Sequence, residues 1–273
     1  MWIIKSLLLT FACVLCAAAP PALNPQAPPA SNQAPLLPGE ALAIVGPDGV
    51  VHLFGEDASR ELPMGSLAKL VWIKLAGMDW ASMDVQFNCT GTWQGCHCWL
   101  AKGHGKVDLA KALQESCNLA FLAWGRWSAG EWKRDYGEGG GRALMEDAFG
   151  PFLGDRMPPG EGIPAIEPPW IGDGDLLRAS PATMLTWLQD PAQEAAVRMT
   201  KRLLLSNRKN SDKPGVWWIN TGTAPVPGDP GSTSAWAAGS NGSITAVLHL
   251  PRGRGKADGL DRFRAVMMIP PGL

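Results

Sequence analysis

The stretch PMGSLAKLVWIKLA, residues 63–76, places a serine and a lysine at the start of an apolar run, and the role of this pair decides the interpretation of the sequence. The residues after Ser66 are almost continuously apolar, which predicts a buried helix with a narrow polar face. Ser66 and Lys69 are three residues apart, so both belong to that face. A serine at a helix start is usually an N-cap and a nearby lysine is usually surface charge. The pair alone therefore fits either a helix cap or a serine nucleophile with its base.

The composition indicates one large domain. The chain has 273 residues, of which 46% are hydrophobic, and a formal net charge of -1. This length is sufficient for a substantial core, and the charge balance gives no reason to expect a nucleic acid partner. With 32 glycines and 24 prolines the chain must contain many turns, which is not typical of a helical bundle.

The N-terminal residues are typical of an export signal. An apolar stretch from Leu7 to Leu15 follows Lys5 and precedes the small residues 17–19, so we predict a signal peptide over residues 1–19, with an uncleaved anchor as the alternative. Residues 20–38 are rich in proline and alanine and predict an extended tether. The folded domain is predicted over residues 39–273, in the periplasm or cell envelope.

Two hairpins frame the predicted domain. Residues 40–57, EALAIVGPDGVVHLFGED, contain two apolar strands around a Pro-Asp-Gly turn, and Asn241-Gly242 joins two further strands near the C-terminus. Helical patterns lie between them. This order predicts an α+β domain in which the first hairpin and the last strands share one sheet.

The intervening segment is predicted in three parts. Residues 107–127 have apolar residues at helical spacing behind a plausible N-cap, Asp108. Ser116 and Asn118 would point to nearly opposite sides of an unbroken helix, so a site that uses both requires a break there. Residues 129–169 are glycine- and proline-rich and predict loops with short helices, and a further helix is predicted to be capped near Ser180 with Pro181 at its first position.

Three short motifs in this order resemble a known family. They are Ser66-Leu67-Ala68-Lys69, Ser116-Cys117-Asn118 and Asn220-Thr221-Gly222-Thr223. They resemble the S-x-x-K, S-x-N and K-T-G-T signatures of the serine penicillin-binding proteins and β-lactamases, specifically the penicillin-binding transpeptidase domain. The resemblance extends over most of residues 39–251. It implies an α+β fold with a central antiparallel sheet flanked by helices and an all-helical subregion carrying the second motif.

The resemblance also implies residue roles. Ser66 would be the nucleophile, Lys69 its base and Ser116 a proton relay, with the oxyanion held by the backbone N–H groups of Ser66 and Thr223. The substrates would be peptidoglycan stem peptides or β-lactams, without a cofactor, and a cell-envelope protein is a further possible partner. The implied substrate-binding residues are Asn118, Asn220, Thr221, Gly222 and Thr223.

Asn220 departs from the family pattern, which has lysine at this position. Asparagine contributes no charge, so a contact with a substrate carboxylate would be a weaker, neutral one. Two explanations stay open: Lys213 or Arg254 supplies the missing charge from an adjacent loop, or the substrate lacks the usual carboxylate. The departure leaves open a non-catalytic domain that binds peptidoglycan or a partner. A β-lactamase of the same fold is the alternative enzyme. A second departure is the C-terminal segment, which predicts at most a short element where the family has a helix packed over the sheet.

Three cysteines occur within ten residues. Cys89, Cys96 and Cys98 lie close to His97 and His104, so a zinc site is conceivable. We favour instead a disulfide from Cys89 to Cys96 or Cys98, because an exported loop gains stability from one and the spacing matches no standard zinc finger. No metal is therefore predicted.

Overall fold

A computed structural model describes residues 34–76, 86–206 and 213–269. The predicted signal peptide and residues 20–33 of the predicted tether lie outside the described residues. Among the helices that the structure describes, none combines the length and apolarity needed to span a membrane. The boundary at residue 39 stays a prediction, and contacts with the domain begin slightly earlier, because the carbonyl oxygen of Pro35 accepts a hydrogen bond from Arg262.

The described residues form an α+β domain whose elements alternate along the chain. The strands are β1 (Ala41–Val45), β2 (Val51–Phe54), β3 (Leu62–Pro63), β4 (Phe87–Cys89), β5 (Thr92–Trp93), β6 (Cys96–His97), β7 (Gly105–Val107), β8 (Arg178–Ala179), β9 (Trp218–Pro225), β10 (Thr233–Ser240) and β11 (Thr245–Leu250). The α-helices are α1 (Ala68–Ala76), α2 (Leu109–Gln114), α3 (Asn118–Leu153), α4 (Pro181–Gln189), α5 (Glu194–Leu205) and α6 (Leu260–Val266).

The central sheet has five antiparallel strands in the order β2-β1-β11-β10-β9. Both predicted hairpins are present, since β1 pairs with β2 and β10 pairs with β11. The Asn241 side chain explains the second turn, because its Oδ1 accepts hydrogen bonds from the N–H groups of Ser243 and Ile244. Pairing of β1 with β11 places the two ends of the domain in one sheet, which confirms the predicted fold class.

Helices cover both faces of this sheet. Alternate residues of β1 point to opposite faces: Ala43 and Val45 belong to the larger core, with residues of α1, α3, α4 and α5, whereas Leu42 and Ile44 belong to the smaller core, with residues of α6. Helix α1 lies at the centre of the larger core, and its Trp72 is 0% exposed with Nε1 donating to the carbonyl oxygen of Trp170 at 2.8 Å. The prediction of a buried helix after Ser66 is therefore confirmed.

The prediction of loops with short helices over residues 129–169 was wrong for residues 129–153. Helix α3 continues to Leu153, with non-helical φ 72° and ψ 175° at Gly137, and short 3-10 helices follow at Gly154–Arg156 and Pro168–Ile171. One of the glycines that suggested loops permits close packing instead, since a Cβ on Gly141 would lie 2.2 Å from Cδ1 of Ile163. Phe149 and Phe152, both 0% exposed, bury one face of this helix. The core contacts therefore outweigh the low helix propensity of glycine.

The C-terminal segment closes the second face of the sheet. It forms α6, a helix of seven residues, in which Phe263 and Val266 are buried against the sheet and Phe263 packs edge-on against Trp217. The predicted short element is present, and it covers this face of the sheet.

Candidate active site

The first motif begins in a single 3-10 turn, Gly65–Leu67, that leads directly into α1. Gly65 has φ 56°, and a Cβ there would lie 2.4 Å from the carbonyl oxygen of Thr223. This close approach requires glycine, because no side chain fits between the turn and β9. Ser66 is half-buried beside this contact, and its hydroxyl accepts a hydrogen bond from Lys69 at 2.9 Å. This bond places the serine in a polar site with the lysine.

Lys69 is the centre of that polar site. Its side chain is buried, with 1% of its surface exposed, and Nζ donates to Ser66 Oγ at 2.9 Å, to Ser116 Oγ at 3.2 Å and to Asn118 Oδ1 at 2.9 Å. Burial lowers the pKa of the amine from 10.5 to about 8, and the charges of Cys117, Cys98 and Asp173 oppose this shift. The neutral form of the amine is therefore far more populated near pH 7 than it is in a surface lysine.

The second motif lies where two helices meet, as a site using both of its polar residues requires. Helix α2, which is capped by Asp108 as predicted, ends at Gln114, and Asn118 begins α3. The N–H of Cys117 donates to the carbonyl of Ala112 at 2.8 Å and the N–H of Ser116 to that of Leu113 at 3.2 Å. These two bonds form a Schellman ending, in which the residue at the position of Ser116 is left-handed and usually glycine.

Ser116 holds this left-handed conformation with φ 51°. A non-glycine residue there costs about 1–2 kcal/mol. Trp99 stabilises the turn, because its indole Nε1 donates to the carbonyl oxygens of Glu115 and Ser116, each at 3.1 Å. Its surface is 57% exposed, and the sequence pattern assigned it no role in the site.

The third motif lies on the edge strand β9, beside the first. A Cβ on Gly222 would lie 3.0 Å from the carbonyl oxygen of Met64 and 3.2 Å from the nitrogen of Ser66, so Gly222 lets the strand approach the turn that carries Ser66. Thr223 is exposed, and its Oγ1 accepts a hydrogen bond from the N–H of Gly255 at 2.9 Å. Thr221 is half-buried on the same side of the strand.

Asn220 is buried at the start of this motif. Only 6% of its surface is exposed, and its Nδ2 has no hydrogen-bond partner among the described residues. Because side chains alternate along a strand, Asn220 shares the inner face of β9 with Gly222, which contacts Ser66. A buried amide N–H without an acceptor lowers the stability of the fold unless a ligand or water accepts its hydrogen bond. Arg254 and Lys213 are both exposed, and Arg254 directly precedes the Gly255 that contacts Thr223.

The cysteines are arranged differently from the prediction. The four described cysteines are free thiols, so the predicted local disulfide is not formed. Cys89 and Cys98 instead converge with His104 and with Cys117 of the second motif, all four donor atoms lying within 4.8 Å of one another. Cys96 is outside this group, on the short strand β6 with His97. The sequence prediction missed Cys117 because it is distant in the chain from the other three.

Comparison of the sequence with protein-family models and with curated proteins finds no match. Solved structures are similar in fold. Penicillin-binding protein 2 of Pseudomonas aeruginosa, in complex with WCK 5153, has a TM-score of 0.58 at 14% identity over 86% of this chain and 75% of that chain. Penicillin-binding protein A of Mycobacterium tuberculosis, as a penicillin G acyl-enzyme complex, has a TM-score of 0.57 at 16% identity over 84% and 73%.

A β-lactamase matches the same fold. The class D enzyme FUS-1 (OXA-85) of Fusobacterium nucleatum subsp. polymorphum has a TM-score of 0.53 at 14% identity, over 84% of this chain and 90% of that chain. The TM-scores establish the similarity in fold, whereas identities this low establish no activity. The chain therefore has the transpeptidase-like α+β fold shared by penicillin-binding proteins and class D β-lactamases.

Proposed function

We propose that this protein is an exported serine acyltransferase or hydrolase of the penicillin-binding type, active in the periplasm or cell envelope. Its substrates would be peptidoglycan stem peptides ending in D-Ala-D-Ala-like groups, and β-lactams would acylate it. The observation that carries the proposal is the buried Lys69 amine, bonded at once to Ser66, Ser116 and Asn118. A helix cap with a surface lysine would not produce this arrangement.

The proposed acylation uses these groups in order. The neutral Lys69 amine takes the proton from the Ser66 hydroxyl as Oγ attacks the substrate carbonyl. The oxyanion lies between the N–H groups of Ser66 and Thr223, whose segments are in contact. As the carbon–nitrogen bond breaks, the proton passes from Lys69 through Ser116 to the leaving amine, and Asn118 holds the substrate amide. The Ser66 ester then passes its acyl group to an amine or to water.

Carboxylate recognition must differ from the family pattern. Asn220 can donate hydrogen bonds from its unpaired Nδ2, and Thr221 and Thr223 can donate from their hydroxyls. We propose that Arg254 supplies the charge, because the adjacent Gly255 packs directly on the third motif. Asn220 also favours a second candidate function, a domain that binds muropeptides without turnover. A cell-envelope protein partner stays a prediction.

Labelling with a fluorescent penicillin tests the proposal. The wild-type chain and Ser243→Ala, a matched change at an exposed serine, are expected to form a gel-stable adduct, whereas Ser66→Ala forms none. Parallel addition of a chromogenic cephalosporin separates the enzyme classes: a burst of about one equivalent followed by slow turnover is expected. Sustained turnover would instead show a β-lactamase. A wild type without adduct, together with retained muropeptide binding, would support the non-catalytic candidate.

A further inference from the structure

Three thiols and one imidazole form a buried group that includes Cys117, the middle residue of the second motif. The donor atoms of Cys89, Cys98, His104 and Cys117 all lie within 4.8 Å of one another, and the four residues are 1%, 7%, 8% and 0% exposed, respectively. Ligands on one tetrahedral zinc, with Zn–S bonds of about 2.3 Å, have sulfur atoms about 3.8 Å apart. The 3.5 Å between Cys98 Sγ and His104 Nδ1 matches such a shared metal.

Polar groups also lie around these atoms. The backbone N–H groups of Leu100 and Asn118 donate to the sulfur of Cys98, and that of Ala120 donates to the sulfur of Cys117. Nε2 of His104 faces the carboxylate of Glu115 at 3.9 Å. A carboxylate on the far side of a histidine ring is a common outer partner of a metal-bound imidazole, since it fixes the ring's orientation.

The segment that carries three of these residues contains only short strands. Residues 86–107 form two separate two-stranded sheets, β4 with β7 and β5 with β6, and such pairs are marginal on their own. Gly91 and Gly103 bring the strand ends together, since a Cβ on Gly103 would lie 2.1 Å from the carbonyl oxygen of Cys89. Small segments of this kind are usually held by a disulfide or a metal.

We propose that Cys89, Cys98, His104 and Cys117 bind one zinc ion in a structural Cys3His site. Three soft thiolates with an imidazole favour zinc over calcium or magnesium, and four protein ligands leave no open position for catalysis. A disulfide would use only two of the three sulfur atoms and leave the third thiol and the imidazole without a role. The proposal replaces the local disulfide expected from the sequence.

This zinc site would fix the second motif in place. Cys117 lies between Ser116 and Asn118, both of which contact Lys69. A metal bound to Cys117 therefore anchors the left-handed turn to the segment 86–107. The consequence for acylation rests on the proposed function, whereas the metal site itself does not.

Metal content of the purified full-length chain tests the site without any β-lactam. We expect about one zinc per chain in wild type and in Cys96→Ser, the matched control for a cysteine outside the group, and at least about tenfold less in Cys89→Ser and Cys117→Ser. Because those variants can also misfold, zinc-depleted wild type is titrated with cobalt(II). The expected result is the absorption spectrum of a tetrahedral cobalt thiolate site, which reaches its maximum at one cobalt(II) ion per chain.

Three outcomes would overturn the proposal. They are wild type that binds neither zinc nor cobalt, equal metal loss in Cys96→Ser and Cys117→Ser, and a non-reduced mass with a disulfide within the group. The site and the proposed function can fail separately, since zinc content is measured without penicillin. If both hold, zinc depletion slows penicillin labelling in wild type and in Cys96→Ser alike, and restored zinc recovers it.

Discussion

The acylation rate of Ser66 is predicted to rise with pH and to level off above about pH 8. Lys69 can take the serine proton only as a neutral amine, and burial lowers its pKa from 10.5 to about 8. Electrostatic interactions with Cys117, Cys98 and Asp173 limit this fall. Deprotonation increases as pH rises through the folded-state pKa, so activity is gained on the alkaline side.

The magnitude follows from the fraction of neutral amine. At pH 7 a lysine with a pKa near 8 is about 9% neutral, whereas an ordinary lysine is about 0.03% neutral, a gain of roughly 300-fold. The labelling rate should therefore increase about tenfold from pH 6 to pH 7, about fivefold from pH 7 to pH 8, and at most about twofold above that.

The assay is rapid-quench penicillin labelling between about pH 5.5 and pH 9.5. Lys69→Arg is expected to lose on the order of a hundredfold or more in rate, because a guanidinium provides no neutral base. Lys74→Arg is the matched control, since Lys74 lies on the same helix and pairs with Asp147 at 3.1 Å. A pH-independent rate, a rate still rising tenfold per pH unit beyond pH 9, or full activity in Lys69→Arg would refute the reasoning.

Three further changes test other parts of the site. Asn220→Lys should accelerate acylation by a carboxylate-bearing penicillin about tenfold, as a neutral contact becomes charge-assisted; an unchanged second-order rate would show that Asn220 does not limit recognition. Trp99→Phe removes both indole hydrogen bonds at the second motif and should slow labelling about 5- to 30-fold, about 1–2 kcal/mol, with little change in Tm; a larger loss of Tm than of rate would contradict this role. Gly222→Ala places a Cβ 3.0 Å from a backbone oxygen and should lower the urea unfolding free energy by about 1–3 kcal/mol, whereas Gly130→Ala, with open space at its Cβ, should not.

The parts of the fold that the sequence predicted are those with local causes. The two hairpins depend on their own turn residues, and α1 depends on the unbroken apolar run after Ser66. The pairing of Ser66 with Lys69 follows from helix geometry alone. The helix break at Ser116 has no such local cause in the sequence. Glycine usually marks the left-handed residue at a helix end, but this position carries serine. The break could be predicted only from the requirement that Ser116 and Asn118 share a site.

The features that the sequence did not predict depend on contacts between distant residues. Helix α3 runs through glycines because Gly141 accommodates Ile163, a partner invisible in the local pattern. Trp99 contributes through hydrogen bonds to Glu115 and Ser116, which are 16 and 17 residues away in the chain. Cys117 lies near Cys89 and Cys98 because the fold brings the start of α3 to the segment 86–107.

Peptide mapping of the penicillin-labelled protein tests the central claim most directly. Trypsin releases residues 61–69, ELPMGSLAK, in which Ser66 provides the only hydroxyl or thiol nucleophile. The account predicts that the penicilloyl mass is found on this peptide, at Ser66, and nowhere else. Labelling of any other peptide, or an unmodified 61–69 peptide after exhaustive treatment, would contradict it.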